Sequence, residues 1–121
     1  MDRDSLILYA KAEELLFQTY PTFNNYPHSE KNGLTAIMKK LFFRLLEEVG
    51  QAKMTTARSH RMAHLRAAAG FLQNLVTAFR LSRERRYISR GFFEQVDLKI
   101  TEIKKILFGF MKSNAQNRQV P

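Results

Sequence analysis

Residues 62–79 read MAHLRAAAGFLQNLVTAF, and in them Met62, Leu65, Ala69, Leu72, Val76 and Phe79 follow one another at alternating steps of three and four. An α-helix turns about 100° per residue, so this alternation holds six apolar side chains on one stripe, the seam of a helical bundle. A half-buried strand would need an apolar residue at every second position, and this stretch lacks that pattern. Beside the stripe runs a second strip, Ala67, Ala68, Phe71, Leu75 and Ala78. The two together cover well over half of the helix's middle, a wider arc than one bundle core needs. The excess predicts a second packing partner, with Ala67, Phe71, Leu75 and Ala78 as the expected contact with another copy of the chain.

This helix is expected from about residue 57 to 83, and three more periodic segments surround it. The first, about 5–20, places Leu8, Ala12, Leu15 and Thr19 on one face; Ser5 or Asp4 is its expected N-cap, and Pro21 stops it. Residues 21–33 are rich in Pro, Asn, Ser and Gly and read as a long connection, with Phe23 and Tyr26 expected to pin it to the bundle and Ser29 a possible cap for the helix that follows. The second segment, about 34–53, carries Leu34, Met38, Leu41, Leu45 and Val49 on one stripe. After a short basic connection, Ser89 is placed to cap a fourth segment, about 90–112, in which Phe93, Val96, Ile100, Ile103, Leu107 and Phe110 repeat the three-four step. Four such segments predict an all-α, up-down-up-down antiparallel four-helix bundle over residues 1–113. The polar residues 114–121 read as a flexible tail.

Composition narrows the function classes. The chain has 121 residues, 45% of them hydrophobic, enough for one core and one domain. Cysteine is absent, which excludes disulfides, thiol nucleophiles and thiolate metal sites and fits a cytoplasmic protein. The acidic start and the apolar run ending at Lys11 do not make a signal peptide, and no apolar run approaches the ~20 residues that span a bilayer.

Catalytic patterns are missing. His60 and His64 share a helix face, but Arg61 stands where a zinc-protease motif needs Glu, and a guanidinium there disfavours a bound cation. Glu13–Glu14 and Glu47–Glu48 are adjacent pairs and point to different helix faces. There is no glycine-rich phosphate loop and no Glu-x-x-His of a di-iron bundle. The expectation is a binding protein with no catalytic residue, cofactor or metal.

The informative signal is charge. The formal net charge is +9 and the isoelectric point about 10.2. Such an excess adds self-repulsion to the compact state and suits a polyanionic partner, RNA or DNA, while four matched apolar stripes argue for a closed bundle over a membrane-surface helix. Arg80, Arg83, Arg85, Arg86 and Arg90 surround the turn between the third and fourth helices, with Glu84 the one acid among them. One or two arginines at a helix C-terminus complement its dipole; five exceed that need. A planar guanidinium grips phosphate at two points, so these five, with Lys104, Lys105 and Lys112 on the next helix, are the candidate binding residues for nucleic acid or a protein partner.

Three stretches resemble a known family. They are residues 26–34 (YPHSEKNGL), residues 81–89 (LSRERRYIS), and residues 102–113 (EIKKILFGFMKS). Together they are similar to the four-helix-bundle accessory variability determinants (Avd) of diversity-generating retroelements, relatives of the bundle proteins encoded in intervening sequences of bacterial 23S ribosomal RNA genes. The likeness runs from about Leu6 to Ser113. Family members often read Gly-Gly-Trp near the last stretch, where this chain has Phe108-Gly109-Phe110. The resemblance implies a homopentameric ring that complexes with a retroelement reverse transcriptase and its RNA template and supports mutagenic cDNA synthesis without an active site of its own. The alternatives are the ribosomal-intervening-sequence bundle class, or a generic basic RNA-binding oligomer without a retroelement.

Overall fold

The computed structural model describes residues 3–117, and every regular element in them is helical. Helix α1 spans Arg3–Thr19, α2 Leu34–Met54, α3 Arg58–Glu84 and α4 Arg90–Asn117; two 3₁₀ turns, Tyr20–Asn25 and His28–Glu30, fill the first connection. Each helix touches two others: α1 packs on α2 and α4, and α3 packs on α2 and α4. The four therefore form a square, with α1–α2 and α3–α4 as opposite sides. Among the described residues no helix is long and apolar enough to cross a membrane.

The core follows the periodic stripes. Leu8, Leu15, Met38, Phe42, Leu45, Leu65, Leu72, Leu75, Phe79, Ile100, Ile103 and Leu107 are fully buried, and Phe42 meets Phe79 edge-on with ring centroids 6.2 Å apart. Burying each such side chain contributes about 1.5–3 kcal/mol. Among the described residues no buried side-chain polar atom lacks a hydrogen bond.

The helix ends depart from expectation in three places. Ser5 and Asp4 do not precede α1, because the helix already includes Arg3; Ser5 is buried on its inner face. Ser29 is not the cap of α2. Glu30 takes that part: its Oε1 accepts the backbone N–H of Leu34 at 2.9 Å, and its backbone carbonyl accepts the Thr35 hydroxyl. Gly33 makes this possible, since a Cβ there would stand 2.7 Å from the same carboxylate oxygen. The helix α4 does not end near residue 112. It continues to Asn117 because Asn114 is buried, donating to the carbonyl of Arg58 (3.2 Å) and accepting from Arg61 (3.2 Å). Residues 118–121 of the expected tail lie outside the described residues. Ser89 does cap α4, its Oγ accepting the N–H of Phe92 at 3.0 Å.

Candidate nucleic-acid interface

The α3–α4 turn is built by a specific helix ending. The N–H of Arg86 bonds the carbonyl of Arg83 (2.9 Å), and the N–H of Tyr87 bonds that of Ser82 (2.8 Å). This nested pair is a Schellman motif, which requires a left-handed residue at the first position past the cap. Arg86 occupies it, with φ 64°, and is the one non-glycine residue with positive φ among those described. Glycine takes this position at no steric cost, whereas an L side chain there pays about 1–2 kcal/mol.

The flanking side chains are ordered too. Arg83 stacks over the Phe93 ring at 4.4 Å, which leaves its guanidinium edge free for a ligand. Tyr87 donates its hydroxyl to Glu30 Oε2 at 2.9 Å. The neighbouring Tyr87 phenol, with the Glu30 charge, pushes the pKa of Arg85 further up. The Glu30 carboxyl is in turn held below its ordinary value, first by the Leu34 N–H, then by the Tyr87 hydroxyl, with the Arg85 charge contributing. Beneath this surface Tyr26 stacks obliquely on Tyr87 at 5.1 Å and donates to Ser82 at 2.7 Å; burial pushes the pKa of its phenol up. Phe23 and Tyr26 thus pin the first connection against the end of α3. Arg80, Arg83, Arg85, Arg86 and Arg90 are all exposed, and among the described residues Arg80, Arg86 and Arg90 form no ion pair.

The lysines expected beside these arginines are elsewhere. At about 1.5 Å per residue, Lys104 and Lys112 lie roughly 21 and 33 Å along α4 from Arg90, and Lys105 stands next to Lys104. Lys104 instead reaches Gln73 of α3 at 3.1 Å, halfway along the bundle. Lys112 belongs to the opposite end, with Arg58 and Arg61. Arg61 is an internal brace there, bonding the carbonyls of Thr55 (3.0 Å) and Thr56 (3.2 Å) as well as Asn114.

The second strip of α3 also has a different meaning. Leu75 and Ala78 are buried within the subunit, at 0% and 6% exposure, so they give no surface to a neighbouring copy. Ala67 is half-buried, and Phe71 packs partly against the core. The strip continues the face of His64, whose Nδ1 pairs with Glu48 Oε1 of α2 at 2.7 Å. Helix α2 therefore covers it, and Ala52, Ala68 and Ala78, all buried, let the two helices approach closely. His60 is exposed, and among the described residues no group of three His, Cys, Asp or Glu converges as a metal would need.

Comparison with known proteins gives a family and a fold. A family model described as bAvd-like matches residues 6–114. A crystal structure of a protein of unknown function from the S23 ribosomal protein family of Bacteroides thetaiotaomicron superposes with a TM-score of 0.76. At 17% identity, with 90% of this chain and 98% of that one covered, it shares the four-helix fold. No curated protein matches the chain.

Proposed function

The chain belongs to the bAvd-like family, and on that footing we propose that it is a non-catalytic accessory protein of a diversity-generating retroelement. It works in the cytoplasm, binds template RNA or cDNA together with the element's reverse transcriptase, and supports mutagenic reverse transcription as a homopentameric ring. It needs no cofactor or metal of its own. The observation that carries this reading is the ordered arginine turn at residues 80–90: five exposed guanidinium groups at one end of the bundle, one of them on a strained backbone. Arg83, stacked on Phe93, loses less freedom when it grips phosphate than a free side chain does. A ring would repeat the turn around one rim and multiply the +9 of each subunit fivefold.

Such a rim reads phosphates and not bases, so affinity should fall with salt at a log-log slope of about −0.7 to −0.9 per phosphate neutralised. The deciding experiment replaces Arg83, Arg85 and Arg86 by Ala and measures RNA and DNA binding across salt, alongside co-purification with the reverse transcriptase. Uniform weakening across sequences with a shallower slope assigns the turn to nucleic acid. Intact RNA binding with lost co-purification assigns it to the protein partner. No change in either refutes the role of the turn. A second reading, favoured by the S23-family fold neighbour, is a bundle of the 23S intervening-sequence class that acts without a retroelement. A reverse transcriptase gene and template repeats beside this gene separate the two.

A further inference from the structure

The α1–α2 side of the bundle is apolar where a lone subunit gains nothing from it. Phe17 is 65% exposed, Phe43 58%, Tyr20 47% and Met54 77%. Phe17, Phe43 and Met54 line a groove of about 510 Å³ along the seam between the helices, continuous through Phe17 and Phe43 with a second hollow of about 370 Å³ that Tyr20 lines. Phe43 follows the fully buried Phe42; two neighbours on a helix point about 100° apart, so both cannot serve one core. The groove also has the wrong charge for its protein. Among the described residues that line it are Glu13 and Glu47 and no lysine or arginine, in a chain of net charge +9.

The complementary surface is on the same molecule. On the opposite side of the square, Arg58, Met62 and Arg66 of α3 line a hollow of about 350 Å³ against Ala115 of α4, and Phe108 is 52% exposed. Heights match as well. Glu47 lies about 10 Å before the end of α2 at Met54, and Arg66 about 12 Å after the start of α3 at Arg58, so both stand at one level above the α2–α3 connection. Two copies joined by identical faces would set Glu13 and Glu47 against themselves. A head-to-tail contact instead sets the two glutamates of the groove against the arginines of the other side, and it builds a ring where each copy is turned by a fixed fraction of a circle from the last.

We propose that the α1–α2 groove receives the α3–α4 side of a second copy, with Phe17 and Phe43 facing its exposed Phe108, about 14 Å from the end of α4 as Phe43 is about 16 Å from the end of α2, and Glu47 facing its Arg66. The inference rests on the reading of the protein as an oligomer and names the two faces that make it. The arginine turn at residues 80–90 stays at the end of the bundle, clear of the contact.

The test is sedimentation velocity of the full-length protein at micromolar concentration, with circular dichroism to check helical content. Wild type is expected to sediment as an oligomer. Phe17→Glu with Phe43→Glu is expected to sediment as a monomer of unchanged helicity, since both side chains are exposed. Glu47→Arg alone, on the exposed face of α2, is expected to weaken association about tenfold or more, and adding Arg66→Glu to restore it. A monomeric wild type overturns the inference together with the ring. An oligomer that survives the double Phe substitution, or one weakened by Glu47→Arg that Arg66→Glu does not restore, overturns the inference and leaves the ring standing. Salt-dependent RNA binding is measured in parallel: its loss in wild type would count against the proposed function and leave the interface untouched.

Discussion

Replacing Arg86 by Gly should make the protein more stable and a poorer ligand for nucleic acid at the same time. Arg86 holds the left-handed position of the Schellman motif at φ 64°. Removing its Cβ relieves about 1–2 kcal/mol of steric cost. Glycine returns part of that through the greater freedom of the unfolded chain, about 0.5–1 kcal/mol. The net gain is then roughly 0.5–1 kcal/mol. For a chain of this size that raises Tm by about 2–6 °C, or the urea midpoint by a few tenths of a molar. Arg86→Ala is the control. It removes the same charge but keeps the Cβ, so its stability should stay near wild type. Both variants should lose the same phosphate contact, with a salt slope shallower by about 0.7–0.9. Urea denaturation at fixed protein concentration, followed by circular dichroism, reads the first effect; RNA binding across salt reads the second. Equal stabilities for the Gly and Ala variants, or a Gly variant less stable than wild type, would refute the strain argument. Unchanged binding in both would refute the functional account of why arginine stands there.

Four further perturbations test other parts of the structure. Phe71→Arg should lower stability by about 1–3 kcal/mol in urea denaturation, because Phe71 packs under α2; a stable, fully helical monomer would instead return it to the subunit interface. Tyr26→Phe should cost about 0.5–1.5 kcal/mol by losing the 2.7 Å bond to Ser82, whose hydroxyl keeps its own bond to Ala78, and no change would show that bond to be idle. The depressed carboxyl of Glu30 stabilises the fold above its unfolded-state pKa of about 4.3, and that contribution is lost as pH falls through its lower folded value. Acid titration should therefore show a stability loss in wild type that Glu30→Gln lacks, and parallel profiles would count against the α2 cap. Arg61→Ala should cost about 1–3 kcal/mol and fray the end of α4 in hydrogen exchange, whereas exposed Arg44→Ala should stay within about 0.5 kcal/mol of wild type.

The helices were legible because their signal is local. The three-four steps of Leu65 to Phe79 and of Phe93 to Phe110 put the right residues in the core, and Ser89 marked the start of α4 by its chemistry alone. What escaped depends on partners distant in sequence. Ser-Asn-Ala-Gln at residues 113–116 has the composition of a tail, yet Asn114 is buried because Arg61, 53 positions earlier, needs its oxygen. Glu30 reads as a loop acid until Gly33 lets it fold under α2 and Tyr87 closes over it. The width of α3's apolar surface was visible, but its cause was not: buried alanines bring α2 close enough to cover the second strip.

The same distinction explains why only some of the basic residues singled out in the sequence lie together. The five arginines share one turn, since residues 80–90 are one connection. Lys104 and Lys112 lie elsewhere, because a helix carries residues apart at about 1.5 Å each and a 28-residue helix spans the whole bundle. The apolar groove was hidden for the converse reason. Phe17 and Phe43 are on different helices, each beside a buried neighbour, Leu16 or Phe42, and nothing local in the sequence joins them. One angular check would have exposed them, since adjacent residues diverge by about 100° and the second aromatic must face outward. The same check finds Phe108 of α4 beside buried Leu107, but of the three only Phe17 and Phe43, on α1 and α2, are brought together at one seam.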